Sequence, residues 1–122
     1  MNRTYVEENE MTACIVGWAH LPFGRREEAD VESLILGVAG EAIADAGIGA
    51  DDIDSIHVGL FNTGFQKQDF PASLVLQADD ALRFKPATRV ENACATGYCR
   101  RSCRPGQDCR QGKAAFALVV GA

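Results

Sequence analysis

The chain has 122 residues, the size of one ordinary domain, and its 47% hydrophobic and 24% charged residues are typical of a globular protein. The net charge of −5 does not favour nucleic acid as a partner, and no apolar run approaches the ~18 residues of a membrane span. We therefore expect neither nucleic acid nor membrane as a partner. Residues 1–11 are polar and carry no secretory signal, which predicts a short tail, one domain over 12–122 and a cytoplasmic location.

The first part of the domain predicts a strand followed by a helix. Residues 12–20, "TACIVGWAH", carry the short apolar run of a buried strand. Asp30 can then cap a helix whose apolar side chains recur at helical spacing, and Gly47 can end it. Gly37 and Gly40 inside that helix lower its propensity, so they predict the close approach of another element.

The rest of the domain predicts three more strands and a second helix. Residues 53–62 form the second strand, and Pro71 suits the first turn of a helix over 71–84. Further strands follow at 87–93 and 114–122. Helices that alternate with apolar strands imply right-handed crossovers. The predicted fold class is therefore α/β, with a mostly parallel sheet and helices on both faces.

Cys94 follows the third predicted strand, between two alanines and ahead of Thr96 and Gly97. If a helix begins here, its backbone N–H groups and the positive end of its dipole favour the thiolate, which is the nucleophilic form. The same N–H groups could stabilise an oxyanion, and the small neighbours leave room for an acyl group. The alternative is a buried cysteine that acts as a small hydrophobe. The local pattern leaves both interpretations open.

The segment "VENACATG" resembles the nucleophile motif of the thiolase family, with Asn92, Cys94, Thr96 and Gly97 at the matching positions. "ACIVGWAHLPFGR" resembles the opening strand and loop of that family, and "ALVVGA" resembles the strand after its nucleophile helix. The nearest branch comprises acetyl-CoA acetyltransferases and thiolases of the sterol-carrier-protein type. The resemblance therefore implies a thiolase-like N-terminal half.

By this resemblance, Cys94 takes an acyl group from acyl-CoA as a thioester. The acyl group then passes to acetyl-CoA in a Claisen condensation, or the reverse reaction cleaves a 3-ketoacyl-CoA. Thr96 and Gly97 would shape the turn, and Asn92 would hold the loop. The resemblance implies coenzyme A thioesters as substrates rather than a bound cofactor, and a homodimer as the assembly.

The family also needs groups that this chain lacks. Its second half brings a Gly-His-Pro histidine that activates the nucleophile and a Cys-x-Gly cysteine that moves the α-proton, and neither motif occurs here. The coenzyme A loops of the family also lie beyond residue 122. Of the two histidines, His57 lies in an apolar strand and is expected to be structural, while His20 adjoins a loop. A truncated, nearly inactive thiolase-type acyltransferase is therefore expected.

Residues 98–111 depart from the family, which continues after Gly97 with a helix rich in small residues. The segment "YCRRSCRPGQDCR" carries Pro105 and Gly106 in its middle, so it cannot form that helix. Its first seven residues can be encoded TAC TGC CGC CGT TCA TGC CGG, and loss of the first base yields Thr-Ala-Ala-Val-His-Ala-Gly. We interpret the segment as a reading-frame error that a second shift corrects before "QGKAAFALVVGA".

The rival interpretation of the same segment is a metal or iron–sulfur site. Four cysteines are available: Cys94, Cys99, Cys103 and Cys109. Their gaps of four, three and five residues match neither paired zinc spacing nor the usual cluster spacings, so no metal is expected. The remaining alternatives are a non-catalytic thiolase-like partner module, or a relic. A ketoacyl-synthase type of condensing enzyme fits the residues around the nucleophile less well.

Overall fold

The computed structural model describes residues 13–27, 30–61, 67, 70–96 and 114–122. Three parallel strands form a sheet in the order β2–β1–β3, so β1 is the central strand. This arrangement of a parallel sheet with helices confirms the predicted α/β class. The elements are α1 (Val31–Ala46), β1 (Ser55–Gly59), α2 (Pro71–Leu74), β2 (Ala87–Val90) and β3 (Ala117–Gly121), with 3₁₀ turns at Ala50–Asp52, Val75–Gln77 and Asp80–Leu82.

Both predicted ends of α1 are confirmed. The Asp30 carboxylate accepts the backbone N–H of Ser33 at 2.8 Å, and the Ser33 hydroxyl donates to the Asp30 carbonyl at 2.9 Å. The bonds from Ser33 lower the pKa of Asp30. Gly47 ends the helix in the left-handed conformation, with φ of 66°, which a residue without Cβ adopts easily.

The core lies between α1, the turns after Pro71, and the face of the sheet that carries Ile56 and Val58. All five residues of β1 are buried, as expected for a central parallel strand. Each large aliphatic side chain in such a core stabilises the fold by about 1.5–3 kcal/mol. The core members are Ile35, Ala39, Ile53, Ile56, Val58, Ala72, Leu74, Val75, Leu82, Leu118 and Val120.

The prediction of a strand over 12–20 is wrong for its described part, since residues 13–20 have no regular structure. The segment is anchored to the end of α1 instead. The Trp18 backbone N–H donates to the Asp45 carboxylate at 2.9 Å, and a Cβ on Gly17 would lie 2.5 Å from the Ala46 backbone nitrogen. Ile15 is 81% exposed. The apolar run indicated a strand, but no described strand pairs with it.

The prediction of one continuous helix over 71–84 is also wrong. The helix begins at Pro71 as expected, but α2 passes into a 3₁₀ turn that ends at Gln77. Asp79 is extended, and its carboxylate accepts the backbone N–H of Ala81 at 2.8 Å. An aspartate that caps its own following turn competes with helix continuation, so a separate turn starts there.

No described element closely approaches Gly37 or Gly40. Both are exposed, and a Cβ on either would meet no described atom within 4 Å. The close backbone contact is at Gly17, against the last turn of α1. None of the helices in the described ranges is long and apolar enough to cross a membrane.

Candidate functional site

The candidate site lies at the edge of the sheet where the parallel strands end. Gly59 of β1 pairs with Val90 of β2 and with Gly121 of β3, so the carboxyl ends of all three strands meet there. The predicted strand over 87–93 ends earlier than expected, at Val90, so Cys94 follows β2 through a short turn and not directly. Ligands of open parallel sheets usually bind outside the carboxyl ends of the strands. The fold therefore brings Cys94 to the edge where chemistry is expected.

Cys94 lies at the tip of a tight turn. The Ala95 N–H donates to the Asn92 carbonyl at 2.9 Å, and the Thr96 N–H donates to the Ala93 carbonyl at 3.1 Å. Ala93 has a φ of 43°, which few residues with a Cβ adopt. This sharp reversal of the backbone leaves Cys94 exposed, with its sulfur outside any disulfide.

The Thr96 side chain closes this turn with two further hydrogen bonds. Its hydroxyl donates to the Ala93 carbonyl at 2.7 Å and accepts the Asn92 N–H at 2.8 Å. Only 7% of Thr96 is exposed, so the hydroxyl lies beneath the turn while Cys94 lies on its outer side. The hydroxyl therefore links the backbone groups on the amino-terminal side of Cys94.

The surroundings of Cys94 differ in part from the sequence expectations. A buried cysteine was one open interpretation, and the exposure of Cys94 contradicts it. The N–H groups of Ala95 and Thr96, which an oxyanion could have used, already donate to carbonyls of the turn. Thr96 is helical, whereas Gly97 and the residues that would continue the predicted helix lie outside the described residues.

One ion pair precedes the turn. The Arg89 guanidinium donates to the Glu91 carboxylate, and each side chain is about one-third exposed. An exposed pair of this kind contributes little to stability. Because the two charges compensate each other, the approach to Cys94 carries no strong net charge from this pair.

The two histidines occupy different environments. His57 lies in β1 between Thr88 and Val119 of the neighbouring strands and is only 2% exposed. Its Nε2 lies 3.3 Å from the Ser55 hydroxyl, which fits the structural role expected for it. His20 is exposed, and its ring meets the Phe23 ring edge-on at 4.8 Å between centroids.

The described residues contain no group of three or more His, Cys, Asp or Glu side chains that could hold a metal ion. This finding does not bear on the four-cysteine interpretation as a whole. Cys94 lies in the described part of the chain, whereas Cys99, Cys103 and Cys109 lie outside it.

One important residue was missed at the opposite edge of the sheet. The Asp54 carboxylate accepts the N–H groups of Ala115 and Phe116 at the start of β3. These two bonds lower the pKa of Asp54. In the sequence, Asp54 is recognisable only as an aspartate directly before a buried strand. Its partners are 61 and 62 residues away, so no local pattern could identify them.

Comparison with known proteins identifies relatives of this chain, although no family model matches it. It is 39% identical to the acetyl-CoA acetyltransferase of Methanocaldococcus jannaschii over 84 residues, which cover 68% of this chain and 21% of that protein. It is 38% identical to the acetyl-CoA acetyltransferase of Methanothermobacter thermautotrophicus over 85 residues, which cover 68% and 22%. The chain thus spans about a fifth of the length of these curated relatives. This similarity, over 68% of the chain, confirms the predicted resemblance to the thiolase family.

Proposed function

We propose that this chain supplies the acyl-accepting nucleophile of a thiolase-type acyltransferase, and that Cys94 is that nucleophile. The observation that carries the proposal is the exposure of Cys94 at the tip of a tight turn, beside the carboxyl ends of a parallel sheet. The similarity to acetyl-CoA acetyltransferases supports acyl-CoA as the substrate class. A cytoplasmic location and a homodimer belong to the same proposal.

The proposed reaction has two stages. The Cys94 thiolate attacks the carbonyl carbon of acyl-CoA, the bond from that carbon to the sulfur of coenzyme A breaks, and coenzyme A takes up the proton that Cys94 released. The acyl group remains on Cys94 as a thioester. Acetyl-CoA then loses an α-proton, its carbanion attacks the thioester carbonyl, the bond from that carbon to the Cys94 sulfur breaks, and the sulfur takes up the proton as a 3-ketoacyl-CoA leaves. Thiolysis is the reverse sequence.

The residues around Cys94 have supporting roles in this proposal. Asn92 and Thr96 hold the turn through the backbone and hydroxyl bonds described above, and Gly97 continues the motif. The sequence lacks the Gly-His-Pro and Cys-x-Gly motifs that would activate the nucleophile and move the α-proton. Because loss of a general base costs about 10²–10⁴ in rate, we propose that this chain turns over little or not at all.

The alternative is a non-catalytic thiolase-like partner module, and one observation favours it. Several large apolar side chains of the described residues are strongly exposed, which is typical of surfaces that another protein covers. Phe84 is fully exposed, Phe23 is 94% exposed and Phe70 is 73% exposed. A partner module could use these exposed side chains in contacts but would not need a reactive Cys94.

The experiment that separates the two functions is acetyl transfer from acetyl-CoA to the purified chain, followed by intact mass spectrometry and peptide mapping. We expect one acetyl group on Cys94 that hydroxylamine removes, as a thioester requires. Cys94→Ala should abolish the modification. Cys14→Ala is the matched control, because Cys14 is the other exposed cysteine among the described residues. An unmodified Cys94, or equal modification of Cys14, would reject the acyl-accepting role and leave the partner module.

A further inference from the structure

We propose that Thr96 and Ala93 are positioning residues for Cys94. In this proposal the Thr96 hydroxyl holds Ala93 in its left-handed conformation, and that conformation presents Cys94 at the sheet edge. The proposal rests on the proposed role of Cys94 as the nucleophile. It goes further because it assigns the geometry of the turn to one hydroxyl group and to one unfavourable backbone conformation.

The first observation is the backbone of Ala93. A φ of 43° brings Cβ close to the following carbonyl, which disfavours this conformation for any residue except glycine. Among the described residues, Phe84 is the other non-glycine residue with positive φ, and it lies in the turn before β2. Ala93 directly precedes Cys94, so its conformation decides the direction in which the chain enters the cysteine.

The second observation is the pair of bonds that offset this cost. The Thr96 hydroxyl donates to the carbonyl of Ala93 itself and accepts the N–H of Asn92, the residue before it. Both bonds act on backbone groups that would turn away if Ala93 relaxed to negative φ. Since only 7% of Thr96 is exposed, water competes weakly for its hydroxyl.

Three substitutions distinguish the hydroxyl from the shape of the side chain. Thr96→Ser keeps the hydroxyl and removes a methyl group, whereas Thr96→Val keeps the shape and removes both bonds. Ala93→Gly removes the unfavourable contact of Cβ. The turn of the double variant Ala93→Gly/Thr96→Val should therefore depend less on the two bonds of the Thr96 hydroxyl. A purely structural role for Thr96 would not predict rescue by a change at Ala93.

The experiment combines hydrogen exchange at the Asn92 amide with the rate of Cys94 alkylation by iodoacetamide at one fixed pH, mapped by peptide. The reference is a synthetic peptide of residues 90–96, in which no turn is held. In Thr96→Val we expect the Asn92 amide to exchange about three- to tenfold faster, the equivalent of one hydrogen bond. The alkylation rate of Cys94 should move to that of the peptide. Thr96→Ser should match the wild type in both measurements. The double variant should return towards the wild type in Cys94 alkylation only, because its Asn92 amide still lacks the Thr96 acceptor.

A second arm leaves Thr96 unchanged, in case Thr96→Val does not fold. Ala93→Val places a branched side chain at positive φ and should accelerate Asn92 exchange. Ala95→Val is the matched control, because Ala95 is exposed and does not have positive φ. The positioning role would be overturned by equal effects of the two valines or by an Asn92 amide unaffected in Thr96→Val. It would also be overturned if wild-type Cys94 were alkylated at the same rate as the peptide. Failure of acetyl transfer with these exchange results intact would reject only the nucleophile proposal.

Discussion

The carboxylate of Asp54 accepts the backbone N–H of Ala115 at 2.6 Å, which joins the approach to β1 with the approach to β3. The same oxygen accepts the Phe116 N–H at 3.2 Å, and the Asp54 N–H donates to the Phe116 carbonyl at 2.9 Å. The strand pairing begins immediately afterwards, with Ser55 opposite Ala117. One side chain therefore helps to set the register of a parallel pair whose strands are far apart in sequence.

Replacement of this carboxylate should destabilise the fold. We expect Asp54→Ala to lower the free energy of unfolding by about 1 kcal/mol, a modest value because the site is exposed to screening by water. The measurement is urea denaturation followed by circular dichroism. Asp51→Ala is the matched control, since the Asp51 side chain makes no hydrogen bond within the described part of the chain. Equal losses in both variants would show that the bonds to Ala115 and Phe116 contribute nothing specific.

The free energy of unfolding should also fall at acid pH. The N–H groups of Ala115 and Phe116 lower the pKa of Asp54, and the bonds from Ser33 lower the pKa of Asp30. A carboxylate whose pKa is lower in the folded state stabilises the fold at pH values above its unfolded pKa of about 3.9, and this contribution disappears as pH falls through the folded pKa. We expect urea midpoints to decline below about pH 4, and to decline less in Asp54→Ala. An identical pH dependence in that variant would contradict the assignment.

Substitution by alanine should weaken the structure at one glycine and stabilise it at another. Gly17→Ala places a Cβ 2.5 Å from the Ala46 backbone nitrogen, so the segment around Trp18 should detach from α1. Gly37→Ala meets no described atom within 4 Å and should stabilise α1 by up to about 1 kcal/mol. Hydrogen exchange at the Trp18 amide reports the first effect, because that amide is bonded to Asp45. Thermal unfolding reports the second.

Turnover should be absent from the purified chain. We expect no measurable thiolysis of acetoacetyl-CoA, because the Gly-His-Pro and Cys-x-Gly motifs are missing from the sequence. The measurement is loss of the substrate's absorbance in the presence of coenzyme A, with Cys94→Ala as the control. Turnover that disappears in Cys94→Ala would contradict this expectation, and the test variant would then be His20→Ala, since His20 is the exposed histidine.

The sequence by itself determined the elements that depend on local interactions. The limits of α1 follow from Asp30 and Gly47, which satisfy the end groups of their own helix. The parallel α/β class follows from the alternation of apolar strands with helices. The position of Cys94 near the end of a strand was also predictable, because that motif is contiguous, although the strand ends at Val90 and not at Ala93.

The tertiary structure decided what depends on distant partners. The sequence could not show that the segment around Gly17 and Trp18 would contact the end of α1. An apolar run predicts burial, but it does not identify the element that the run will contact. It could not show the bonds of Asp54, whose partners are brought near only by the pairing of β1 with β3. The motif named Thr96, but the bonds of its hydroxyl and the positive φ of Ala93 depend on how the chain leaves β2. Capping and periodicity act over a few residues, whereas strand pairing and close backbone contacts exist only once the chain has folded.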